Sequence, residues 1–242
     1  MLRHVGRPRK PIGAGRGPGT VVVMPETDYL TATRAAYDTV AVEYAHVLAD
    51  ALDRMPWDRA VLATFAELVS RDRLGPVADV GCGPGRITGH LNHLGLDAFG
   101  IDLSPGMLAV ARQALPELRF VEGSMTGLDL PDASLGGLVG WYSLIHIPPT
   151  DVPAVLTELC RVLAPGGQLL LAFQVGDERR HLQRAYGHAI SLDTYRMQPD
   201  QLAQQLHAAG MPVHARVVRD PDDPETVPQA YLLARKSSAP PS

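Results

Sequence analysis

The chain has 242 residues, of which 45% are hydrophobic, and this is enough for one sizeable domain with a buried core. Its formal net charge is −4, but five of the 22 basic residues stand within residues 1–23, where no acidic residue occurs. The remainder carries 17 basic against 26 acidic residues. Such an acidic body would repel a phosphate backbone, which argues against a nucleic acid as substrate or partner.

The cysteine count and the apolar runs suggest where the protein resides. The two cysteines, Cys82 and Cys160, predict neither a disulfide framework nor a metal cluster, which favours a reducing compartment. No apolar run approaches the ~20 residues of a membrane-spanning helix, so no membrane association is expected. The apolar stretch that follows the basic N-terminus, 21–24, is too short for a secretory signal. These features predict a cytoplasmic protein.

Four segments follow one another along the chain. They are predicted to be a disordered basic tail at 1–24, a helical N-terminal cap at 25–72, a main domain at 73–236 and a disordered C-terminal tail at 237–242. The first is rich in Gly, Pro and Arg; it is either a loose tail, an arm that touches anions, or a stretch that precedes a true translation start at Met24. The cap repeats apolar residues at helical spacing over 28–53 and 57–69, and Pro56 stops the first run.

The main domain alternates short apolar runs with helical segments, which is the pattern of a parallel sheet covered by helices on both faces. The predicted strands are 77–80, 98–101, 118–121, 135–141 and 168–173, and predicted helices include 86–94, 105–114 and 199–206. Ser104 is predicted to cap the helix at 105–114. Thr150 is predicted to cap a further helix, which Gly166 and Gly167 end.

The C-terminal part of the domain differs from this alternation. Two strands, at 212–218 and 230–234, are joined by a short acidic loop. A loop this short makes an antiparallel hairpin, because a parallel crossover needs about a dozen residues or more. The preceding segment, 176–198, lacks clean periodicity and is either a lid that shapes a binding pocket or a plain surface helix and loop.

The strongest functional signal is the run Asp79-Val-Gly81-Cys-Gly83-Pro-Gly85 between the first strand and its helix. Ligands lie beyond the carboxyl ends of parallel strands, and glycines let the backbone approach them closely. A dinucleotide fingerprint would need a glycine at 86, where this chain has Arg. Asp79 would also repel a pyrophosphate. A cationic aminoacyl ligand such as S-adenosylmethionine, which carries a sulfonium and an ammonium, fits an acid there.

A second signal is Asp102, at the end of the second predicted strand in Gly100-Ile-Asp102. An acid a little over ~20 residues after a glycine loop is placed to hold ribose hydroxyls, as in dinucleotide folds. A carboxylate only accepts hydrogen bonds, so it can take the protons of both hydroxyls. Alone, Asp102 would be a turn residue, but the glycine loop upstream favours ribose binding.

The chain resembles the class I S-adenosylmethionine-dependent methyltransferases, of the type related to quinone-biosynthesis methyltransferases. The matching residues are 77–85, 100–107, 122–125 and 161–167, and the likeness extends over roughly 37–235. The resemblance implies a Rossmann-like, mostly parallel sheet of seven strands whose last strand is antiparallel, with helices on both faces and a helical N-terminal cap. It also implies S-adenosylmethionine as the cofactor.

The resemblance further implies roles for the residues at the carboxyl ends of the first two strands. Gly81, Gly83 and Gly85 would pack against the aminoacyl and ribose groups of the cofactor. Asp102 would hold the ribose, and Met107 would lie against the adenine.

The remaining cofactor residues implied by the resemblance lie further along the chain or in the cap. Ser124 and Met125 would flank the adenine edge, although many relatives carry an acid where Ser124 stands. Trp141 would border the methionine end. Tyr37 and Tyr44 match aromatic positions of a helix that closes over the cofactor, and the alternative is that both belong to the core of that helix.

His146 is the candidate general base. It follows the fourth predicted strand, which places it on the ligand-facing edge, and imidazole titrates near neutral pH. The alternative is that His146 anchors a loop by bonding to backbone. Methyl transfer needs a base only when the nucleophile arrives protonated. No Asp/Glu cluster has metal-binding spacing, so no metal site is expected.

These observations predict an enzyme that transfers a methyl group to an O, N or C atom of a small organic molecule. Tyr142 and the tryptophans could line an apolar acceptor pocket. One alternative is a non-catalytic protein that binds adenosylmethionine, since no essential base is identified. A less favoured alternative is an NAD-type oxidoreductase, which Asp79, Arg86 and the lack of a Tyr-x-x-x-Lys pair oppose.

Overall fold

The computed structural model describes residues 28–238. The predictions for a basic tail at 1–24 and a translation start at Met24 lie outside the described residues, as do residues 239–242 of the predicted C-terminal tail. Within the described part of the chain, no helix combines the length and the apolar character that crossing a membrane requires.

Three helices precede the sheet: α1 (Asp28–Val47), α2 (Ala51–Arg54) and α3 (Pro56–Asp72). Pro56 occupies the first turn of α3, where its missing N–H costs no hydrogen bond. The residue that stops one helical run therefore also starts the next. Helix α3 buries Leu62, Phe65 and Val69 against the sheet, whereas α1 lies over the carboxyl ends of the strands and packs on a later helix.

The strands of the main sheet are β1 (Val77–Val80), β2 (Ala98–Asp102), β3 (Phe120–Glu122), β4 (Leu135–Trp141), β5 (Leu163–Gln174), β8 (Val213–Arg219) and β9 (Gln229–Arg235), while β6 (Arg179–Ala185) and β7 (His188–Tyr195) form a separate sheet. The seven strands of the main sheet stand in the order β3-β2-β1-β4-β5-β9-β8. Neighbours from β3 to β5 are parallel, while β9 runs antiparallel to both β5 and β8. The predicted fold class is confirmed: the sheet is mostly parallel, and its last strand in the sequence is antiparallel.

The crossover helices cover both faces of this sheet. They are α4 (Arg86–His93), α5 (Pro105–Ala114), α6 (Val152–Val162) and α7 (Pro199–Ala208). One hydrophobic core joins the sheet to α6 and α7, and another joins it to α3 and α4. Ser104 caps α5 as predicted, because its Oγ accepts a hydrogen bond from the N–H of Met107 at 3.0 Å.

The predicted ends of α6 are wrong. Asp151, not Thr150, precedes the first turn, and the Thr150 hydroxyl instead donates to the Asp151 carboxylate at 3.0 Å. At its other end the helix stops at Val162, because the fully buried Leu163 turns extended and pairs with Leu135 of β4. The glycines predicted to end the helix therefore lie inside β5, and Gly166 there has φ of 84°.

The segment at 176–198 forms a second, two-stranded sheet. Strands β6 (Arg179–Ala185) and β7 (His188–Tyr195) pair antiparallel around Tyr186-Gly187. Both of these residues have positive φ, 50° and 85°, as a two-residue hairpin turn requires. The hairpin packs on α1, where Ile190 lies against the cluster of Val40 and Ala41. The interpretation as a surface helix and loop is wrong, and the role of a lid stays a prediction.

Candidate active site

The glycine loop lies at the carboxyl end of β1. At two positions of the loop only glycine fits, because a side chain would clash with a neighbouring residue. A Cβ on Gly81 would stand 2.3 Å from Cβ of Ser143, and one on Gly85 would stand 2.7 Å from Cζ of Phe120. A Cβ on Gly83 would meet its nearest protein atom, in Tyr44, only at 3.9 Å. Gly83 therefore faces open space above the loop, while Gly85 faces the body of the domain.

Asp79 stands directly before the loop and is fully buried. Its Oδ2 accepts a hydrogen bond from the hydroxyl of Thr88 at 2.7 Å, whereas its Oδ1 is buried with no hydrogen-bond partner among residues 28–238. Burial raises the pKa of this carboxyl to about 7, the nearby Asp102 adds to the rise, and Thr88 opposes it. A buried acidic oxygen without a partner fits a cationic group such as an ammonium.

Asp102 ends β2 with its carboxylate fixed by backbone. Oδ2 accepts from the N–H of Gly83 at 2.7 Å, and Oδ1 accepts from the N–H of Ser104 at 2.9 Å. Burial raises the pKa of Asp102, and these two backbone hydrogen bonds oppose that rise. Each carboxylate oxygen can accept a further hydrogen bond, so the group can still bind two hydroxyls.

A cavity above the loop, the adenosyl-side cavity, brings together most of the predicted site residues. Those that line it are Tyr37, Tyr44, Gly81, Gly83, Asp102, Met107, Ser124, Met125, Trp141 and His146. Met107 is buried in a cluster with Val40 of α1, so its side chain forms both a wall of the cavity and a contact with the cap. The Ser124 hydroxyl lies 2.8 Å from that of Thr126. The arrangement can hold a ligand that carries both ribose and an aromatic base.

A larger cavity of about 340 Å³ adjoins the first and shares the loop and the Tyr37–His146 wall with it. We call it the acceptor-side cavity. Helix α1, the β6–β7 hairpin and the end of β4 contribute to its walls, and Asp79 and Arg86 also line it. Its walls combine apolar side chains, such as Ile145, Leu182 and Leu192, with charged ones. It can therefore take a molecule that has both apolar and charged groups.

Tyr37 and His146 form the contact between the cap and the edge of the sheet. The Tyr37 hydroxyl lies 2.7 Å from Nε2 of His146, and Nδ1 of His146 lies 3.2 Å from the carbonyl of Asp193 in β7. Burial lowers the pKa of His146 to about 4 and raises the pKa of Tyr37 well above its usual value. His146 is therefore a neutral imidazole at neutral pH, with both ring nitrogens engaged.

Some residues of the site were not identified from the sequence. Asp38 accepts hydrogen bonds from the Ser104 hydroxyl at 2.6 Å and from the N–H of Gly106 at 2.8 Å, which ties α1 to the start of α5. Arg86 was considered only as a missing glycine, yet its side chain lines the acceptor-side cavity. Only a pairing of elements distant in sequence reveals Asp38, so no local signal could have found it.

The described residues hold no group of three or more His, Cys, Asp and Glu side chains that could bind a metal ion.

Three of the predicted cofactor residues also pack against protein side chains outside the glycine loop. Trp141 is buried against Tyr231, and their ring centroids lie 5.6 Å apart. The ring of Tyr44 packs against that of Tyr186 in the hairpin turn, with the centroids 5.1 Å apart. Gly85, as noted, contacts Phe120 behind the loop.

Comparison with known proteins identifies similar sequences. Residues 77–167 match a family model described as a methyltransferase domain. An uncharacterized methyltransferase of Mycobacterium bovis is 34% identical over 120 residues, which cover 48% of this chain and 47% of the relative. A demethylmenaquinone methyltransferase of Beutenbergia cavernae is 33% identical over 144 residues, covering 56% and 55%. The chain thus spans about half the length of these curated relatives.

Among solved structures, a similar fold occurs in the 1,6-didemethyltoxoflavin-N1-methyltransferase of Burkholderia thailandensis, with bound 1,6-didemethyltoxoflavin and S-adenosylhomocysteine. The TM-score is 0.64 at 20% identity, and the match covers 89% of this chain and 93% of the other. At this identity the likeness establishes the fold alone. It extends to the helical cap as well as the sheet, since it covers most of both chains.

Proposed function

We propose that the chain is a class I S-adenosylmethionine-dependent methyltransferase that transfers a methyl group from S-adenosylmethionine to an O, N or C atom of a small organic molecule. The observation that carries the proposal is the buried Oδ1 of Asp79, which has no partner in the described part of the chain and stands beside a glycine loop that faces open space at Gly83. A cationic aminoacyl group is the ligand that these two features fit together.

Different residues of the site would bind different parts of the cofactor. Asp79 would hold the ammonium, and Asp102 would accept hydrogen bonds from the ribose hydroxyls. Met107, Ser124 and Met125, which line the adenosyl-side cavity, would enclose the adenine. When bound, S-adenosylmethionine supplies a methyl group on a sulfonium, and the protein contributes alignment and the exclusion of water.

Trp141 and Tyr44 complete the proposed cofactor site. Both line the two cavities, so they lie where the methionine end of the cofactor would meet the acceptor. The remaining residues of the acceptor-side cavity would hold the acceptor. Its size and its partly apolar walls favour a small organic molecule, in keeping with a relative named for demethylmenaquinone and a neighbour that holds 1,6-didemethyltoxoflavin.

The candidate base His146 is proposed to act through Tyr37. Nδ1 faces a carbonyl and therefore carries the ring proton, so Nε2 accepts from the Tyr37 hydroxyl. Tyr37 lines both cavities, and its hydroxyl oxygen would accept a proton from an acceptor atom while it passes its own proton to Nε2. Because burial lowers the pKa of His146, this route suits acidic acceptors, which part with a proton readily.

Calorimetric titration of the full chain with S-adenosylmethionine and S-adenosylhomocysteine tests the proposal. Binding of both in the micromolar range is expected, followed by methyl transfer in a screen of small phenols, amines and carboxylic acids. A folded protein that binds neither compound would overturn the function. Binding without transfer to any acceptor in the screen would favour the non-catalytic alternative.

A further inference from the structure

We propose that Arg86 binds a carboxylate in the acceptor-side cavity, beside the glycine loop. The inference rests on the proposed function for the identity of the ligand, which is either the α-carboxylate of the cofactor or a carboxylate of the acceptor. Both sources present the same chemistry to the guanidinium, which pairs with carboxylates through parallel N–H donors.

The first argument is the state of the Arg86 side chain. Arg86 opens α4, directly after Gly85, and its side chain lines the cavity together with Asp79. Its Nη1 is buried and has no hydrogen-bond partner among residues 28–238. A guanidinium N–H that loses water without gaining a partner costs free energy, so a ligand that supplies an acceptor oxygen would recover that cost.

The second argument is that the acidic residues of the same cavity are already engaged. Asp58 accepts a hydrogen bond from the Tyr231 hydroxyl at 2.5 Å, and Glu225 accepts from two nitrogens of Arg219. These carboxylates are held by their own partners, so they leave the charge of Arg86 uncompensated by direct contact.

The third argument comes from Asp79 and Arg86 together. Arg86 lowers the pKa of Asp79 by its charge, yet the two side chains form no ion pair in the described part of the chain. Each keeps one buried polar atom without a partner among residues 28–238, an oxygen in Asp79 and a nitrogen in Arg86. Such a pair on one cavity wall complements a zwitterion, so the ammonium and carboxylate of an amino acid group would satisfy both atoms.

A further cation on the cavity wall, Arg180 of β6, is exposed to solvent and has the same sign as Arg86. It would strengthen the attraction of the cavity for anions without being desolvated itself. Arg86, whose Nη1 is buried, is therefore the residue expected to form the hydrogen bonds, because a desolvated donor binds a carboxylate more strongly than an exposed one.

The experiment compares ligands with and without a carboxylate. Titrations of the wild type and of Arg86→Gln use S-adenosylhomocysteine, 5′-methylthioadenosine, which lacks the aminoacyl group, and benzoate. Arg86→Lys keeps the charge but not the parallel donors. Its affinity for the carboxylate ligand is expected to lie between that of the wild type and that of Arg86→Gln. Arg54→Gln, which removes an exposed arginine paired with Asp50, is the control for loss of one positive charge. Thermal unfolding verifies that each variant is folded.

Two outcomes support the inference. If Arg86→Gln lowers the affinity for S-adenosylhomocysteine about tenfold or more and leaves the affinity for 5′-methylthioadenosine unchanged, the cofactor supplies the carboxylate. If it leaves both nucleosides unchanged and weakens benzoate about tenfold, the acceptor supplies it. Arg54→Gln should change none of these affinities.

Other outcomes overturn it. If Arg86→Gln changes none of the affinities, Arg86 does not take part in ligand binding. If the affinities for both nucleosides fall equally, the substitution has distorted the glycine loop instead. A wild type that binds no S-adenosylhomocysteine would contradict the proposed function, and the benzoate titration would then decide the role of Arg86 by itself.

Discussion

The hydroxyl of Tyr37 lies 2.7 Å from Nε2 of His146, across 109 residues of sequence. This hydrogen bond joins the N-terminal cap to the carboxyl edge of the sheet at the place where the two cavities meet. On the other side of the ring, Nδ1 faces the carbonyl of Asp193 in the hairpin. His146 thus connects all three parts that enclose the proposed active site.

Replacement of Tyr37 by Phe separates positioning from proton transfer. The ring stays and the hydroxyl is lost, so folding should be weakened by only about 1 kcal/mol, typical of one hydrogen bond. With an acceptor that arrives protonated, we expect kcat to fall about tenfold or more while KM changes little. Steady-state kinetics measures this once an acceptor is known. Tyr195→Phe, in β7 and outside the lining of both cavities, is the matched control, and an unchanged kcat in Tyr37→Phe would contradict the route through Tyr37.

His146 should make stability depend on pH. Its pKa is lowered to about 4 in the fold, whereas an unfolded histidine titrates near 6.5. The unfolded state therefore takes up a proton first, so stability is complete above about pH 6.5 and falls as the pH drops toward 4. The loss attributable to this group is about 3 kcal/mol.

Urea unfolding of the wild type and of His146→Gln at about pH 7.5 and pH 4.5 tests this dependence. The variant should be less stable at neutral pH but should lose less stability on acidification. His207→Gln, on the exposed face of α7, should retain the wild-type dependence. Equal pH dependence in the wild type and His146→Gln would show that the imidazole titrates normally.

The sheet was predictable because its signals are local. Strands β1, β2, β4 and β5 are buried along most of their length, and the cap of Ser104 on α5 is visible in the sequence itself. The hairpin at 176–198 was missed because its strands are polar and half-exposed, so they lack an apolar period. Gly187, at a turn where it and Tyr186 both have positive φ, is the sequence signal that could have indicated the hairpin.

The site was predictable in part for a similar reason. Asp79 and Asp102 stand at strand ends, where sequence position fixes the location of a side chain. Whether Arg86 has a partner, or what Tyr37 contacts, depends on helices and strands that are far apart in sequence. The end of α6 was misjudged because the burial of Leu163 in β5 outweighed the local glycine signal at Gly166.

Asp102→Ala tests the ribose contact. Removal of the carboxylate should make the binding free energy of S-adenosylhomocysteine less favourable by about 1.5–3 kcal/mol, the range for a hydrogen bond to a charged group. The variant also loses the acceptor for the N–H of Gly83, so its thermal stability must be measured alongside. Calorimetry gives the affinity, and a folded Asp102→Ala protein that binds as tightly as the wild type would remove the ribose role.

Asp79 should make cofactor affinity depend on pH. Its pKa is raised to about 7 by burial, so in the free protein the carboxyl gains a proton as the pH falls through 7. An ammonium binds the ionised form, and affinity for S-adenosylhomocysteine should therefore decrease between about pH 7.5 and pH 5.5. The same shift makes the free protein less stable as the pH rises from about 4 to 7, since ionisation is easier in the unfolded chain.

Asp79→Asn provides the comparison for this dependence. The amide keeps the shape and can still accept from Thr88, but it carries no charge to lose. It should bind S-adenosylhomocysteine more weakly than the wild type at about pH 7.5, with little change down to about pH 5.5. A variant with the same pH dependence as the wild type would assign the titration to another group.

Gly81 and Gly83 lie two residues apart in the loop and should respond in opposite ways to the same change. A Cβ at Gly81 would stand 2.3 Å from Cβ of Ser143, so Gly81→Ala should lower the free energy of unfolding by about 2–4 kcal/mol through overpacking and backbone strain. A Cβ at Gly83 meets protein atoms only at 3.9 Å and beyond, so Gly83→Ala should cost only the strain of its positive φ, about 1–2 kcal/mol.

Ligand binding should show the reverse order. The methyl group of Gly83→Ala would project into the space proposed for the cofactor, so affinity for S-adenosylhomocysteine should fall about tenfold or more in a protein that remains folded. Chemical denaturation and calorimetry on the two variants measure both quantities. If Gly83→Ala binds like the wild type, the cofactor does not cross the loop at Gly83, and the placement of its aminoacyl group against Asp79 would have to be abandoned.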